Sequence, residues 1–152
     1  MRSFELTVFI DCPQETVYDH LSQPLNMLGL QPLLTKVEAL EERLDDDGIV
    51  LRPFYTVETF RLLGLPVYHN RIYSVIHLTK PKDELQFHVY SKPRIEIVFT
   101  YRFEPFNDGK TKIVQTVEFV KLSKLLEKFV VAQAKQAQRA LLSNLKIRLE
   151  KH

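Results

Sequence analysis

A chain of 152 residues, 45% hydrophobic and 26% charged, has the composition of an ordinary globular protein and lacks the polar bias of a disordered one. At this length a domain buries about 68–70% of its unfolded surface, so it needs no staple; the single cysteine, Cys12, rules out an internal disulfide and suits a reducing compartment. The net charge is only +2, and no run approaches the roughly 18 apolar residues of a membrane-spanning helix.

Residues 3–10 alternate, with Phe4, Leu6, Val8 and Ile10 on one face, which predicts a half-buried strand. That alternation also distinguishes the N-terminus from a signal peptide, and a cytoplasmic location is the expectation. In Cys12-Pro13-Gln14-Glu15 a proline takes the first helical position and an acid the first turn, and Val17, Tyr18 and Leu21 give a short amphipathic helix. Pro24 ends it and opens a second short helix through Leu25, Leu28 and Leu30, closed by Pro32.

From residue 34 to 120 the period becomes that of strands. Asp45-Asp46-Asp47-Gly48 separates two strand-like runs as a hairpin turn would. Further breaks follow at Leu63-Gly64-Leu65-Pro66, at Lys80-Pro81-Lys82-Asp83 and at Asn107-Asp108-Gly109-Lys110, and Pro93 marks a strand start or bend. The cleanest alternation runs from 95 to 103: Ile95, Ile97, Phe99, Tyr101 and Phe103 share a dry face and Arg94, Glu96, Thr100, Arg102 and Glu104 a wet one. From Ser123, a predicted N-cap, to about Glu150 there is no Gly or Pro, enough for a helix of roughly 40 Å. Leu122, Leu126, Phe129, Val130, Gln133, Ala137, Leu141, Leu145 and Leu149 form its apolar stripe.

The order is a strand, two short helices, about six strands and a long helix. That predicts one α+β domain spanning 1–152, with a curved antiparallel sheet of about seven strands around the C-terminal helix and a gap between them for a ligand. Residues 121–152 carry a net charge of +6, leaving −4 for the rest. A basic helix face can meet acidic lipid or nucleic acid; the solvated outer face of a docked helix is the favoured reading, so no nucleic-acid partner is expected and peripheral membrane contact stays open.

This order, and particular stretches, resemble the START/Bet v 1-like helix-grip superfamily in its polyketide cyclase/dehydrase and lipid transport (SRPBCC) branch. The matching pieces are the strand from Phe4 to Ile10 leading into Cys12-Pro13-Gln14-Glu15-Thr16-Val17-Tyr18, the loop Leu21-Ser22-Gln23-Pro24-Leu25-Asn26, the turn Gly109-Lys110-Thr111-Lys112-Ile113 before the last strand, and Asn144-Leu145-Lys146 in the final helix. The resemblance implies a helix-grip fold and an apolar cavity, and carries no universal catalytic residues onto this chain.

Phe54, Tyr55, Tyr68, Phe87, Phe99, Tyr101, Phe103 and Phe129 are the candidate aromatic lining, with Tyr55, Tyr68, Tyr101 and Gln133 as polar tips. Glu58 would serve as a base if it faces inward, but residues 49–61 mix apolar positions on both faces. His69, Arg71, Tyr73 and His77 share one face of a predicted strand; His69 and His77 stand about 26 Å apart along it, too far to share an ion. His88 is expected to point away from the cavity, and His20 ends a short helix where a cation is favoured. Cys12 at a helix start has the setting for a lowered pKa, although a structural role is favoured. No metal, cofactor or catalytic set is expected. The leading expectation is a non-enzymatic carrier or sensor of a small hydrophobic molecule, such as a lipid, isoprenoid or aromatic. The rivals are an aromatase/cyclase or dehydratase acting on a poly-β-keto chain, and a protein- or membrane-interaction module with a vestigial cavity.

Overall fold

A computed structural model describes residues 2–62, 65–92 and 94–151, and the side chains of all of these except 60–62 and 65–69. The alternating N-terminal run forms β1 (Arg2–Ile10) and pairs antiparallel with β8 (Lys110–Lys121), so Phe4, Leu6 and Val8 turn inward with Ile10. After β1 come α1 (Gln14–Leu21) and a 3-10 turn (Pro24–Met27). Then follow β2 (Leu34–Ala39), the two-residue β3 (Arg43–Leu44), β4 (Val50–Leu62), β5 (Leu65–Lys80), β6 (Glu84–Ser91) and β7 (Ile95–Phe106), with β8 and α2 (Glu127–Glu150) closing the order. Among the described residues the sheet has eight strands in the order β1-β8-β7-β6-β5-β4-β2, β3 pairing with β4, and every pairing is antiparallel. This is the helix-grip architecture expected from the sequence.

The β3–β4 hairpin turns where the Asp-Gly signal lies. Asp45 Oδ1 accepts from the amides of Asp47 and Ile49 at 2.8 and 2.9 Å, and Gly48 takes φ +81°, open to glycine without strain. Two helix boundaries differ from expectation. The second short helix is a single 3-10 turn; beyond it the chain leaves helical geometry, with Met27 and Leu30 buried and Leu25 and Leu28 exposed. The long helix begins at Glu127, because Ser123 caps only a preceding turn: its carbonyl and hydroxyl both accept from the Leu126 amide, at 3.2 and 3.4 Å. The expected breaks at Leu63-Gly64 and Pro93 lie outside the described residues.

One end of the molecule is solid core. Ile10, Val17, Leu21, Leu30, Ile76, Leu85, Ile113 and Leu145 are wholly buried there, each worth about 1.5–3 kcal/mol of transfer free energy. The C-terminal half of α2 is laced to this end. Asn144 donates to the Leu30 carbonyl at 2.7 Å; Arg148 donates to the carbonyls of Asn26 and Leu28, both at 2.6 Å. Lys146 reaches the Phe9 carbonyl at 2.6 Å, and Glu150 accepts from the Asp11 amide at 2.8 Å. At the other end Arg2 pairs with Glu127 and donates to the Leu122 carbonyl at 2.8 Å.

Candidate ligand-binding cavity

Where the first half of α2 crosses the sheet, the space is left unfilled. The cavity measures about 310 Å³, at the low end of the ligand-pocket range of about 300–1,000 Å³. Its walls follow the two-residue period of strands: Phe54, Thr56 and Glu58 from β4, Asn70, Ile72 and Ser74 from β5, Phe87, Val89 and Ser91 from β6, and Ile95, Ile97, Phe99 and Tyr101 from β7. The helix supplies Phe129, Val130, Gln133, Ala134, Ala137, Gln138 and Leu141, and Met27, Gln31, Leu33 and Leu34 cover the side next to β4. The 3-10 turn and the segment after it therefore help to close the cavity. By contrast, α1 packs its buried Tyr18 against Phe103 at the solid end, ring centroids 5.6 Å apart.

Aromatic edges form a continuous wall: Phe54 meets Phe87 with centroids 6.1 Å apart, and Phe87 meets Tyr101 at 5.5 Å, both edge-to-face. The polar groups lie in two places. On β7, the buried Tyr101 hydroxyl donates to Gln138 Oε1 at 3.3 Å, and the buried Gln115 donates to the same oxygen at 2.7 Å. Gln138 thus turns its oxygen to the sheet, accepting both hydrogen bonds, while the buried Gln115 Oε1 has no hydrogen-bond partner among the described residues. Burial pushes the Tyr101 phenol far above its usual range, so it stays neutral.

The second polar place is on β4. Glu58 accepts from Gln31 Nε2 at 2.6 Å, and Gln31 in turn accepts from the Leu33 amide. Burial raises the Glu58 pKa, against a smaller opposing effect of the Gln31 hydrogen bond. No cation is paired with Glu58 among the described residues, so the carboxyl holds its proton to a higher pH than a free one and offers the cavity a hydrogen-bond donor or acceptor.

The structure brings Phe54, Phe87, Phe99, Tyr101, Phe129 and Gln133 together on this cavity. Phe129 is a rim residue, 67% exposed. Tyr55 is a correction: neighbours in a strand face opposite ways, and Phe54 takes the inside. Tyr55 instead packs on the outer face against a tilted Tyr73 ring, centroids 5.3 Å apart, under the Arg71 guanidinium at 3.7 Å. Phe103 belongs to the solid core beside Tyr18 and does not line the cavity. The Tyr68 side chain lies outside the described residues. The parity of residues 49–61, open in the sequence, resolves with Glu58 inward. Gln31, Asn70 and Gln138 also line the cavity without having been singled out. Gln138 follows Ala137 directly on the broadened stripe, a signal present in the sequence; Gln31 sits in irregular chain that carries none.

The His69 side chain lies outside the described residues, and His77 has another histidine beside it. Across strands, His77 meets His88, ring centroids 3.8 Å apart, on the outer face, and burial together with His88 lowers the His77 pKa to about 4. Among the described residues no cluster of three or more metal-ligating side chains surrounds them. Cys12 is buried and its thiol is pushed up, mainly by burial, opposite to the lowering a helix start offers. His20 is likewise held neutral by burial and by Arg148, whose Nη1 is 3.2 Å from its Nε2, so the helix end holds no second cation.

Over residues 1–150 the sequence matches the family described as polyketide cyclase / dehydrase and lipid transport. No curated protein matches it. Among solved structures, the Zhui aromatase/cyclase of a Streptomyces species superposes with a TM-score of 0.79 at 19% identity, over 99% of this chain and 94% of that one. A START superfamily protein from Mycobacterium smegmatis does so at 0.72 and 13% identity, over 98% of this chain and 97% of that one. Ara h 8.0201 gives 0.64 at 13% identity, over 95% and 97%. At such identities the likeness is one of fold, and it is the START/Bet v 1-like fold that the sequence resembled.

Proposed function

The chain belongs to the polyketide cyclase / dehydrase and lipid transport family, and we propose that this member binds a small, largely hydrophobic ligand between its sheet and α2. The observation that carries this reading is the unfilled space of about 310 Å³ walled by Phe54, Phe87, Phe99 and Tyr101, in an interior whose other half is close-packed. Binding is driven by removing apolar surface from water, about 25 cal/mol per Å² before association costs. The Glu58–Gln31 pair and the Gln138 amide fix orientation through a ligand oxygen or nitrogen.

The test is fluorescence titration with N-phenyl-1-naphthylamine, a neutral probe that brightens in apolar cavities. The wild type should show saturable enhancement. Ala137→Trp, which fills the cavity, should abolish it; Ile147→Trp, on the exposed side of α2, should leave it intact. Enhancement that is absent in the wild type, or equal in Ala137→Trp, refutes the reading.

A second reading, an aromatase/cyclase or dehydratase, is favoured by one observation: a carboxyl with a raised pKa faces the cavity. Such a group can take a proton from carbon next to a ketone and return it to an oxygen. On this reading the wild type exchanges the α-protons of 2-acetylnaphthalene with solvent deuterium above the buffer rate and Glu58→Gln does not. Exchange at the buffer rate in both leaves binding as the function.

A further inference from the structure

We propose that the rim of the cavity docks on an anionic lipid bilayer. The sequence shows a basic C-terminal segment, and the structure divides it. Near the end of α2, Arg148 is bound to backbone carbonyls and Lys146 to the Phe9 carbonyl and Glu150. At the start the situation is reversed. Lys124 and Lys128 are exposed and have no ion-pair partner among the described residues. They also stand at the positive end of the helix dipole, where cations cost stability, so helix stability does not account for them.

The register Glu96↔Lys121 sets the β6–β7 turn beside this helix start. That turn adds Lys92 and Arg94, both exposed and without an ion-pair partner among the described residues. The neighbouring carboxylates are already engaged, Glu96 with Lys121 at 3.5 Å and Glu127 with Arg2. Four cations therefore stand uncompensated around the mouth, which Lys92, Ile95, Leu126 and Phe129 line. Among them project Leu125, on the turn that leads into α2, and Phe129, in its first turn, 93% and 67% exposed. Large apolar side chains ringed by free cations match a bilayer with anionic headgroups: the apolar pair enters the interface and the cations meet phosphate and carboxylate. Docking there would place the cavity mouth against the lipid.

The test is co-sedimentation of the full chain with vesicles of phosphatidylcholine, with and without about a third phosphatidylserine, at low and high salt. Binding should need phosphatidylserine and fall as salt rises. Each cation neutralised should weaken partitioning about fivefold, so Lys124→Ala with Lys128→Ala should lose roughly 25-fold. Leu125→Ser with Phe129→Ser should also weaken binding at every salt concentration, and circular dichroism should show the helix intact. Lys80→Ala, at the opposite end of the sheet, should have no effect. The proposal is overturned if phosphatidylserine vesicles fail to bind, or if Lys80→Ala weakens binding as much as Lys124→Ala. It is equally overturned if the wild type is a dimer that Phe129→Ser splits, which would assign the surface to a second copy.

Discussion

Glu58 and His77 sit on adjacent strands but face opposite sides of the sheet, and burial shifts their proton affinities in opposite directions. For Glu58 the folded pKa lies above the unfolded value, so the folded state holds the proton more tightly and stability falls as pH rises from about 4.5 through the folded pKa. Glu58→Gln should therefore raise the melting temperature at neutral pH, with the gain vanishing near pH 4. His77 behaves in reverse. Its folded pKa of about 4 lies below 6.5, so the unfolded state takes up the proton first and stability is lost as pH falls from 6.5 towards 4. His77→Gln should remove that loss, about 1–2 kcal/mol after allowing for partial exposure. Denaturant midpoints between pH 4 and 8 check both slopes. Neither group's behaviour was legible in sequence. The side Glu58 faces depends on which of Phe54 and Tyr55 turns inward, and His88 reaches His77 only through the β5–β6 register.

Within α2 the two halves have different tasks, and the apolar stripe that announces the helix does not distinguish them. Leu142 and Leu145 meet packed core, whereas Val130, Gln133 and Ala137 meet a void; the same i, i+3, i+4 spacing serves both, because the difference lies in what the opposite wall supplies. The packed half is fixed by Arg148, whose guanidinium spans the carbonyls of Asn26 and Leu28. The chain between them passes so close that a Cβ on Gly29, at φ +85°, would lie 2.8 Å from Arg148 Nη2. Arg148→Ala should lower stability by about 2–3 kcal/mol, since hydrogen bonds from a charged donor are worth about 1.5–3 kcal/mol each and these are partly exposed. It should also speed amide exchange across residues 24–31. Lysine should not rescue it, because a single ammonium does not reproduce the planar fork. Urea titration and hydrogen-exchange mass spectrometry read the two effects.

For the molecule as a whole, element type and order were readable because each rests on local pattern: alternation in β1 and β7, Asp-Gly turns, and an uninterrupted helical stretch. The alternation from Ile95 to Tyr101 alone identified one complete wall of the cavity. The rest depended on long-range pairing that no local window contains, including the placement of the β6–β7 turn beside the start of α2 and the union of Gln115, Tyr101 and Gln138 from three elements. Hence the aromatic lining was largely legible, and its polar fittings were not.

The pairing of β1 with β8 also bears on how the chain is made. At roughly 5–20 residues per second, β1 leaves the ribosome seconds before β8, its partner strand among the described residues, exists. Until then its amides and carbonyls stand unpaired beside Phe4, Leu6 and Val8, an open template for the wrong strand. The hairpins from β4 to β7 can form as they emerge, but β1 must wait until β8 has been made. The vulnerable moment for this protein falls during its synthesis, while β1 is exposed and β8 has yet to emerge.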